Sequence, residues 1–179
     1  MKTHAALAVL VFAGLSFAAA PAGAQVSKDP VPGITNFARI ETTVACGGAT
    51  KPEAIPEIKK MGFASVINVR VATEPGADVP AEEAAAKAAG LKYVHLPFNA
   101  SAPDPTLVDN FLKAITTPGI QPAFIHCAGG SRAAALWLIK RVAVDRWNVE
   151  QATSEAEALG LASPALKKFA LDYVQTHKR

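Results

Sequence analysis

Phe124-Ile125-His126-Cys127-Ala128-Gly129-Gly130-Ser131-Arg132-Ala133-Ala134-Ala135-Leu136-Trp137-Leu138-Ile139 is the stretch that decides how this chain is read. The β-prone run Ala123-Phe124-Ile125 leads through His126 to a cysteine. Four small residues and an arginine follow. The chain then stays apolar almost all round to about Val144, with Lys140, Arg141 and Asp145 only at the end. That order predicts a strand, a tight loop and a helix buried in the middle of a domain. In an open α/β sheet, ligands bind beyond the carboxyl ends of the strands, and Cys127 stands at such an end. Gly129 and Gly130 give the loop unusual backbone freedom, so that its N–H groups can turn inward. The start of the helix adds unpaired donors and the positive end of its dipole. Such surroundings favour a thiolate, the nucleophilic form of cysteine. The planar fork of Arg132 can return to the same centre and hold an oxyanion with two hydrogen bonds. A buried, inert cysteine in a glycine turn is the plain alternative. The joint occurrence of strand, His, Cys, small loop, Arg and buried helix argues against it.

Outward from this loop, strands alternate with helices. Short β-prone pieces fall at Ala38-Arg39-Ile40 and Thr43-Val44-Ala45-Cys46, before the Gly47-Gly48 turn. A helix opens near Thr50, with Pro52 in its first turn, and stops at Gly62. Ala64 to Arg70 reads as a strand, Val71 to Pro80 as a loop, and Ala81 to Ala89 as a helix stopped by Gly90. Leu91 to Phe98 is a strand. Thr106 to Thr116 is a helix with Leu107, Phe111, Leu112 and Ile115 on its inner face. After the buried helix come two more, from Val149 to Leu159 and from Ser163-Pro164 to about Thr176. The strands are apolar runs and not clean alternations. The expected fold class is therefore α/β, with a mostly parallel central sheet flanked by helices on both faces.

Length and composition bound the rest. Lys2, the apolar stretch Ala5 to Ala20 and the small-x-small site Ala22-Gly23-Ala24 read as a secretory signal over residues 1–24. Removing it from the 179 residues leaves 155, a normal size for one domain. Residues 25–35, with Pro30, Pro32 and Gly33, read as a linker, and 36–179 as a single domain. The expected location is periplasmic or secreted. The net charge of +3 is spread over scattered Lys and Arg, which predicts solvated faces, with no nucleic-acid patch and no membrane partner once the signal is gone. Neither Cys-x-x-Cys nor a His/Cys cluster at metal spacing is present, so no metal and no other cofactor is expected. The sequence is silent on oligomeric state.

The His126 to Arg132 stretch resembles the motif of the cysteine-dependent protein tyrosine phosphatase superfamily, above all its dual-specificity-like bacterial branch. That motif is His-Cys, five residues, Arg, then Ser or Thr. The likeness extends to Val44 to Arg70, with Val-Ala-Cys-Gly-Gly, a helix, Gly-Phe and Val-Ile-Asn-Val-Arg. It continues in Tyr-Val-His-Leu-Pro at Tyr93 to Pro97 and in the Trp137 helix. Over roughly Asn36 to Leu161 the chain is similar to the phosphatase-like domain named after beta-lactamase hydrolase-like proteins, whose members are also often labelled sulfur transferases. The resemblance implies a phosphatase-like hydrolase with an anionic, phosphorylated substrate. Cys127 would be the nucleophile. Arg132 and the loop amides of Ala128, Gly129, Gly130 and Ser131 would hold the phosphoryl group, and His126 would support the thiolate.

Three departures from the superfamily pattern stand out. Only four residues separate Cys127 from Arg132, the spacing of rhodanese-type sulfurtransferases, in which the thiolate carries a persulfide. Ala133 replaces the hydroxyl residue that helps the thiolate leave. Asn99-Ala100-Ser101 stands where a general-acid Asp is expected, which makes Asp104 the nearest candidate; its other role would be to cap a helix before Pro105. Arg70 ends a strand, and facing the same rim it would help bind an anion. Cys46 also ends a candidate strand. In an exported protein, neighbouring strands would make a disulfide to Cys127 possible; the alternative is that Cys46 is a small buried apolar residue. Three functions therefore remain open. The first is phosphate-ester hydrolysis through a phospho-cysteine, the second is sulfur transfer through a Cys127 persulfide, and the third is anion binding without catalysis.

Overall fold

The computed structural model describes residues 25–177 apart from Thr42; the proposed signal lies outside them. Six strands form one sheet in the order β1-β2-β3-β6-β4-β5. They are β1 (Val26–Ser27), β2 (Ala38–Ile40), β3 (Val44–Gly47), β4 (Ser65–Asn68), β5 (Lys92–His95) and β6 (Ala123–His126). The four strands β3, β6, β4 and β5 are parallel. The pairs β1–β2 and β2–β3 are antiparallel. The mostly parallel sheet expected from the apolar runs is therefore present, with an antiparallel edge. Residues 25–35 are not a free linker. Val26 pairs with Ile40 on the sheet edge, and Val31 and Ile34 are buried. Apolar surface in this Pro-rich segment finds a place against the first helical turn, where a sequence reading saw only the prolines.

Strand β6 is central, and its alternation divides the core. Ile125 and Cys127 join Val44, Cys46, Ile67 and Val69 on one face. Phe124 joins Ala45 and Val66 on the other. Against the first face pack α3 (Pro105–Thr116), α4 (Ser131–Ala143), α5 (Val149–Ala158) and α6 (Pro164–Thr176). Against the second pack α1 (Ile55–Lys60), which is entered through a 3-10 turn over Pro52–Ala54, and α2 (Val79–Ala88). Both faces are thus covered, as a sheet of this composition requires. Helix α2 begins two residues earlier than expected. Asp78 caps it by accepting the Ala81 N–H, and Pro80 sits in a first turn whose N–H groups would be unpaired anyway. On α3 the buried face is Val108, Phe111 and Ile115, with Leu107 and Leu112 only flanking it.

Helix α4 is the central pillar, with every residue from Ala133 to Arg141 buried. Its charged end is buried because it is fully paired. The Arg141 guanidinium lies 4.6 Å from the Trp137 ring centre and 4.1 Å from that of Trp147. Its Nε donates to Glu155 at 2.7 Å, and Trp137 Nε1 donates to the same oxygen at 2.6 Å. Asp145 accepts from both Arg141 and Lys140. Glu155 therefore ties α5 to α4. Removing it leaves a buried guanidinium short of its partner, which costs about 3 kcal/mol. We expect Glu155→Ala to lower the unfolding free energy by that order. Urea titration followed by tryptophan fluorescence reads this directly, since Trp137 and Trp147 are the only tryptophans.

Candidate active site

Cys127 leaves β6 at the carboxyl edge of the sheet, and its N–H donates to Gly47 O at 3.1 Å. The loop that follows is held from outside. Ala49 N–H donates to Ala128 O at 2.9 Å, and Asn36 Nδ2 donates to Gly129 O at 3.0 Å. Because a peptide unit is planar, fixing these two carbonyls outward turns the N–H groups of Gly129 and Gly130 inward. The Gly130 N–H does point in, donating to Cys127 Sγ at 3.0 Å. Gly130 adopts φ +103°, a conformation that L side chains rarely take, and it starts α4 with no side-chain cap. The first-turn donors of α4 are thus left for a ligand. Gly48 is needed for a different reason. A Cβ there would lie 2.9 Å from Ala128 O and closer still to Thr35 Oγ1.

Arg132 reaches back from α4 into the same space. Its Nη1 donates to Glu74 Oε1 at 2.5 Å and to Phe98 O at 2.7 Å. Its Nη2 donates to Glu74 Oε2 at 2.8 Å. Glu74 thereby grips the outer edge of the guanidinium, and the edge formed by Nε and the second Nη2 hydrogen is not claimed by it. Hydrogen bonding by Arg132 holds the Glu74 carboxyl down to about 2, and the Val71 N–H and Arg70 act in the same direction. Burial works to deprotonate Arg132, but the bonds to Glu74 and the nearby Cys127 outweigh it and hold the guanidinium charged.

A pocket of about 490 Å³ opens over this loop. Its lining includes Cys127, Gly129, Arg132, Glu74, Asn99 and Ser101. Ala128 and Ser131 also line it. The Ser131 hydroxyl turns elsewhere, donating to Gly160 O at 3.0 Å and accepting the Ala162 N–H. Two residues expected at the site have other tasks. Arg70 is buried, and its guanidinium donates to Pro75 O at 2.6 Å and Gly76 O at 2.9 Å. It shapes the loop that carries Glu74 and does not line the pocket. Asp104 is exposed and outside the lining residues, and its carboxylate accepts the Thr106 N–H at 2.8 Å to start α3. The carboxylate at the pocket is Glu74. Its only trace in the sequence is an acid in the loop just after Arg70.

On the opposite face of β6, His126 is fully buried beneath α2. Its Nε2 lies 3.1 Å from Glu82 Oε2, but out of line for a hydrogen bond. The same carboxylate oxygen accepts from Asn68 Nδ2 at 2.6 Å and from the Tyr93 hydroxyl at 3.1 Å. Asn68 Oδ1 in turn accepts the Arg70 N–H. Burial pushes the Tyr93 hydroxyl pKa up, and the adjoining Glu82 adds to the shift. Cys46 on β3 and Cys127 are both free thiols. Burial, reinforced by Cys127, pushes the Cys46 thiol up, which leaves it an apolar filler. Among the described residues, no group of three or more His, Cys, Asp or Glu is placed to hold a metal. No helix among them is long and apolar enough to cross a membrane.

With this geometry in hand, relatives can be placed. Residues 36–144 match the family described as "Beta-lactamase hydrolase-like protein, phosphatase-like domain", and the chain belongs to that family. The beta-lactamase hydrolase-like protein of Xylella fastidiosa (strain Temecula1) is 33% identical over 128 residues, covering 69% of this chain and 28% of that protein. The chain thus spans about a quarter of the curated relative it matches. Among solved structures, a Shewanella putrefaciens CN-32 protein provisionally described as a phosphatase superposes with a TM-score of 0.68 at 19% identity. That match covers 82% of this chain and 94% of the other. P. aeruginosa TpbA in complex with phosphotyrosine gives 0.65 at 16% identity, over 89% and 93%. At these identities the likeness is one of fold, a phosphatase-like α/β fold.

The Glu74–Arg132 bond sets a pH dependence. A carboxyl lowered from its ordinary 4.5 to about 2 on folding stabilises the folded state fully above 4.5. That contribution fades as the pH falls toward 2. Glu74→Gln should therefore be less stable than the parent chain by about 2 kcal/mol at neutral pH. The gap should close between pH 4.5 and 2, as read by denaturant unfolding at a series of pH values.

Proposed function

We propose that the chain is a cysteine-dependent phosphatase, and that Cys127 attacks the phosphorus of a phosphorylated substrate as its thiolate. The observation that carries this reading is the meeting of three features at one pocket. They are Sγ of Cys127, the inward amides of Gly129 and Gly130, and the unclaimed edge of Arg132. In the first step an S–P bond forms and the bond to the leaving oxygen breaks in line with it. Charge on the equatorial oxygens is met by the loop amides, the first turn of α4 and Arg132. Water then attacks the phospho-cysteine, and the electron pair of the S–P bond returns to sulfur. His126, whose ring lies on the opposite face of β6, supports the nucleophile only by holding the strand end, where its carbonyl accepts the Val69 N–H at 2.9 Å. A pocket near 490 Å³ leaves room beside the phosphoryl group for an aryl-sized remainder. The fold shared with a protein solved bound to phosphotyrosine supports the anionic substrate. The signal-like residues 1–24 support work in the periplasm or outside the cell.

One observation favours a second reading. With only Ala128 to Ser131 between Cys127 and Arg132, the ring has one amide fewer than a five-residue loop. A smaller ring suits a persulfide on Cys127 and sulfur transfer. A paired assay separates the two. The reduced protein, with Cys127→Ser as control, is offered an aryl phosphate, and separately thiosulfate with cyanide. We expect phosphate release that the variant loses by about 10³-fold or more. Thiocyanate formation without phosphate release would replace phosphoryl transfer by sulfur transfer. Tight binding of inorganic phosphate with neither reaction would leave an anion-binding module.

A further inference from the structure

We propose that this site takes only phosphoryl groups carried on weakly basic leaving groups, such as acyl phosphates, phosphoanhydrides and electron-poor aryl phosphates. It would leave alkyl phosphomonoesters untouched. The inference deepens the phosphatase reading above and rests on it. Its ground is the state of the carboxylates around the pocket. The pocket lining includes Asn99, Ala100 and Ser101, none of which is an acid. The Asn99 side chain is engaged by the Ser101 N–H at 3.0 Å. The lining carboxylate is Glu74, and both its oxygens are taken. Oε1 accepts from Arg132 Nη1 and from the Val71 N–H at 2.9 Å. Oε2 accepts from Arg132 Nη2 and, at 3.4 Å, from Arg70 Nε. A carboxylate held by four donors carries no proton to give.

The two acids that follow Asn99–Ser101 most closely in the chain are committed elsewhere. Asp104 caps α3, and Asp109 accepts the Tyr173 hydroxyl at 2.6 Å. Thr73 and Ser101 offer only hydroxyls. His126 and Glu82 lie fully buried on the opposite face of β6. When the S–P bond forms, the electron pair of the breaking P–O bond must therefore leave on oxygen as an anion, with no proton transferred in the step. A positioned general acid is worth about 10²–10⁴-fold in rate, and that help is missing in proportion to the basicity of the leaving oxygen. The next step has the same character. The residue after Arg132 is Ala133, so no side-chain hydroxyl assists sulfur as it departs from phosphorus.

The test is a series of substrates at constant pH. Initial rates are measured for aryl phosphates from dinitrophenyl to unsubstituted phenyl, together with acetyl phosphate and glycerol phosphate. We expect kcat/KM to fall by about 10²-fold or more from the first aryl phosphate to the last. Acetyl phosphate should be turned over and glycerol phosphate should not. Asp104→Asn should show the same slope against leaving-group pKa as the parent chain. Equal kcat/KM across the series, or turnover of glycerol phosphate, would overturn the inference while leaving the phosphatase reading intact. So would a shallow parent slope that steepens in Asp104→Asn, because Asp104 would then be the acid. Absence of phosphate release from every member would sink the phosphatase reading itself, and this inference with it.

Discussion

The site depends on one ion cluster, the Glu74 carboxylate held between Arg132 and Arg70. Each guanidinium is buried, and a buried charge is tolerated only when it is paired and its hydrogen bonds are filled. Glu74 supplies both oxygens, and the carbonyls of Phe98, Pro75 and Gly76 accept further N–H groups, while one edge of Arg132 stays open to the pocket. The loop after β4 therefore cannot move without stranding Arg132. Arg132 in turn sets how the first turn of α4 presents itself to Cys127. The same bond also orients Arg132. By occupying the outer edge of the fork, Glu74 leaves the other edge open beside Cys127, and both its own oxygens are taken in doing so.

Strand β6 serves two environments at once, because successive side chains point to opposite faces. Cys127 lies on the face covered by α4 and opens onto the pocket. His126 lies on the face covered by α2, beside Glu82, Asn68 and Tyr93. There Glu82 Oε2 is satisfied by Asn68 and Tyr93, whereas the two ring nitrogens of His126 make no hydrogen bond. Asn68 links that carboxylate to the Arg70 N–H, so the polar core and the ion cluster share one strand end. Between these two regions, hydrogen bonds from Ala49 and Asn36 hold the cysteine loop with its carbonyls outward. The loop's shape is thus set by residues flanking the neighbouring strand, Ala49 and Asn36, and the loop's own glycines only allow it.

Much of this was legible without coordinates, for local reasons. Periodicity marks α4 as buried, because no polar stripe exists over Ala133 to Ile139. Apolar runs without alternation mark β4 and β6 as strands covered on both sides. Gly62 and Gly90 mark helix ends where a positive φ is needed. Where sequence and structure part, the cause is shared too. Residues 25–35 look like a linker because Pro30, Pro32 and Gly33 dominate, while the two apolar side chains that anchor the segment are too few to give a period. Asp104 is the nearest carboxylate in sequence to Asn99–Ser101, yet it takes the other role open to it, accepting the Thr106 N–H outside the pocket lining.

The sequence by itself determined the order of elements, the sheet class, and the placing of Cys127 and Arg132 at a strand end before a helix. These follow from backbone preference and apolar spacing within a few residues. Only the tertiary structure decided that Glu74, 58 residues from Arg132, completes the site, and that Asn36, 93 residues from Gly129, turns its carbonyl outward. It also decided that Arg70 faces its own loop. Side-chain direction at such distances is set by which charges and carbonyls are desolvated together. That depends on the packed sheet, and no local pattern of residues carries it.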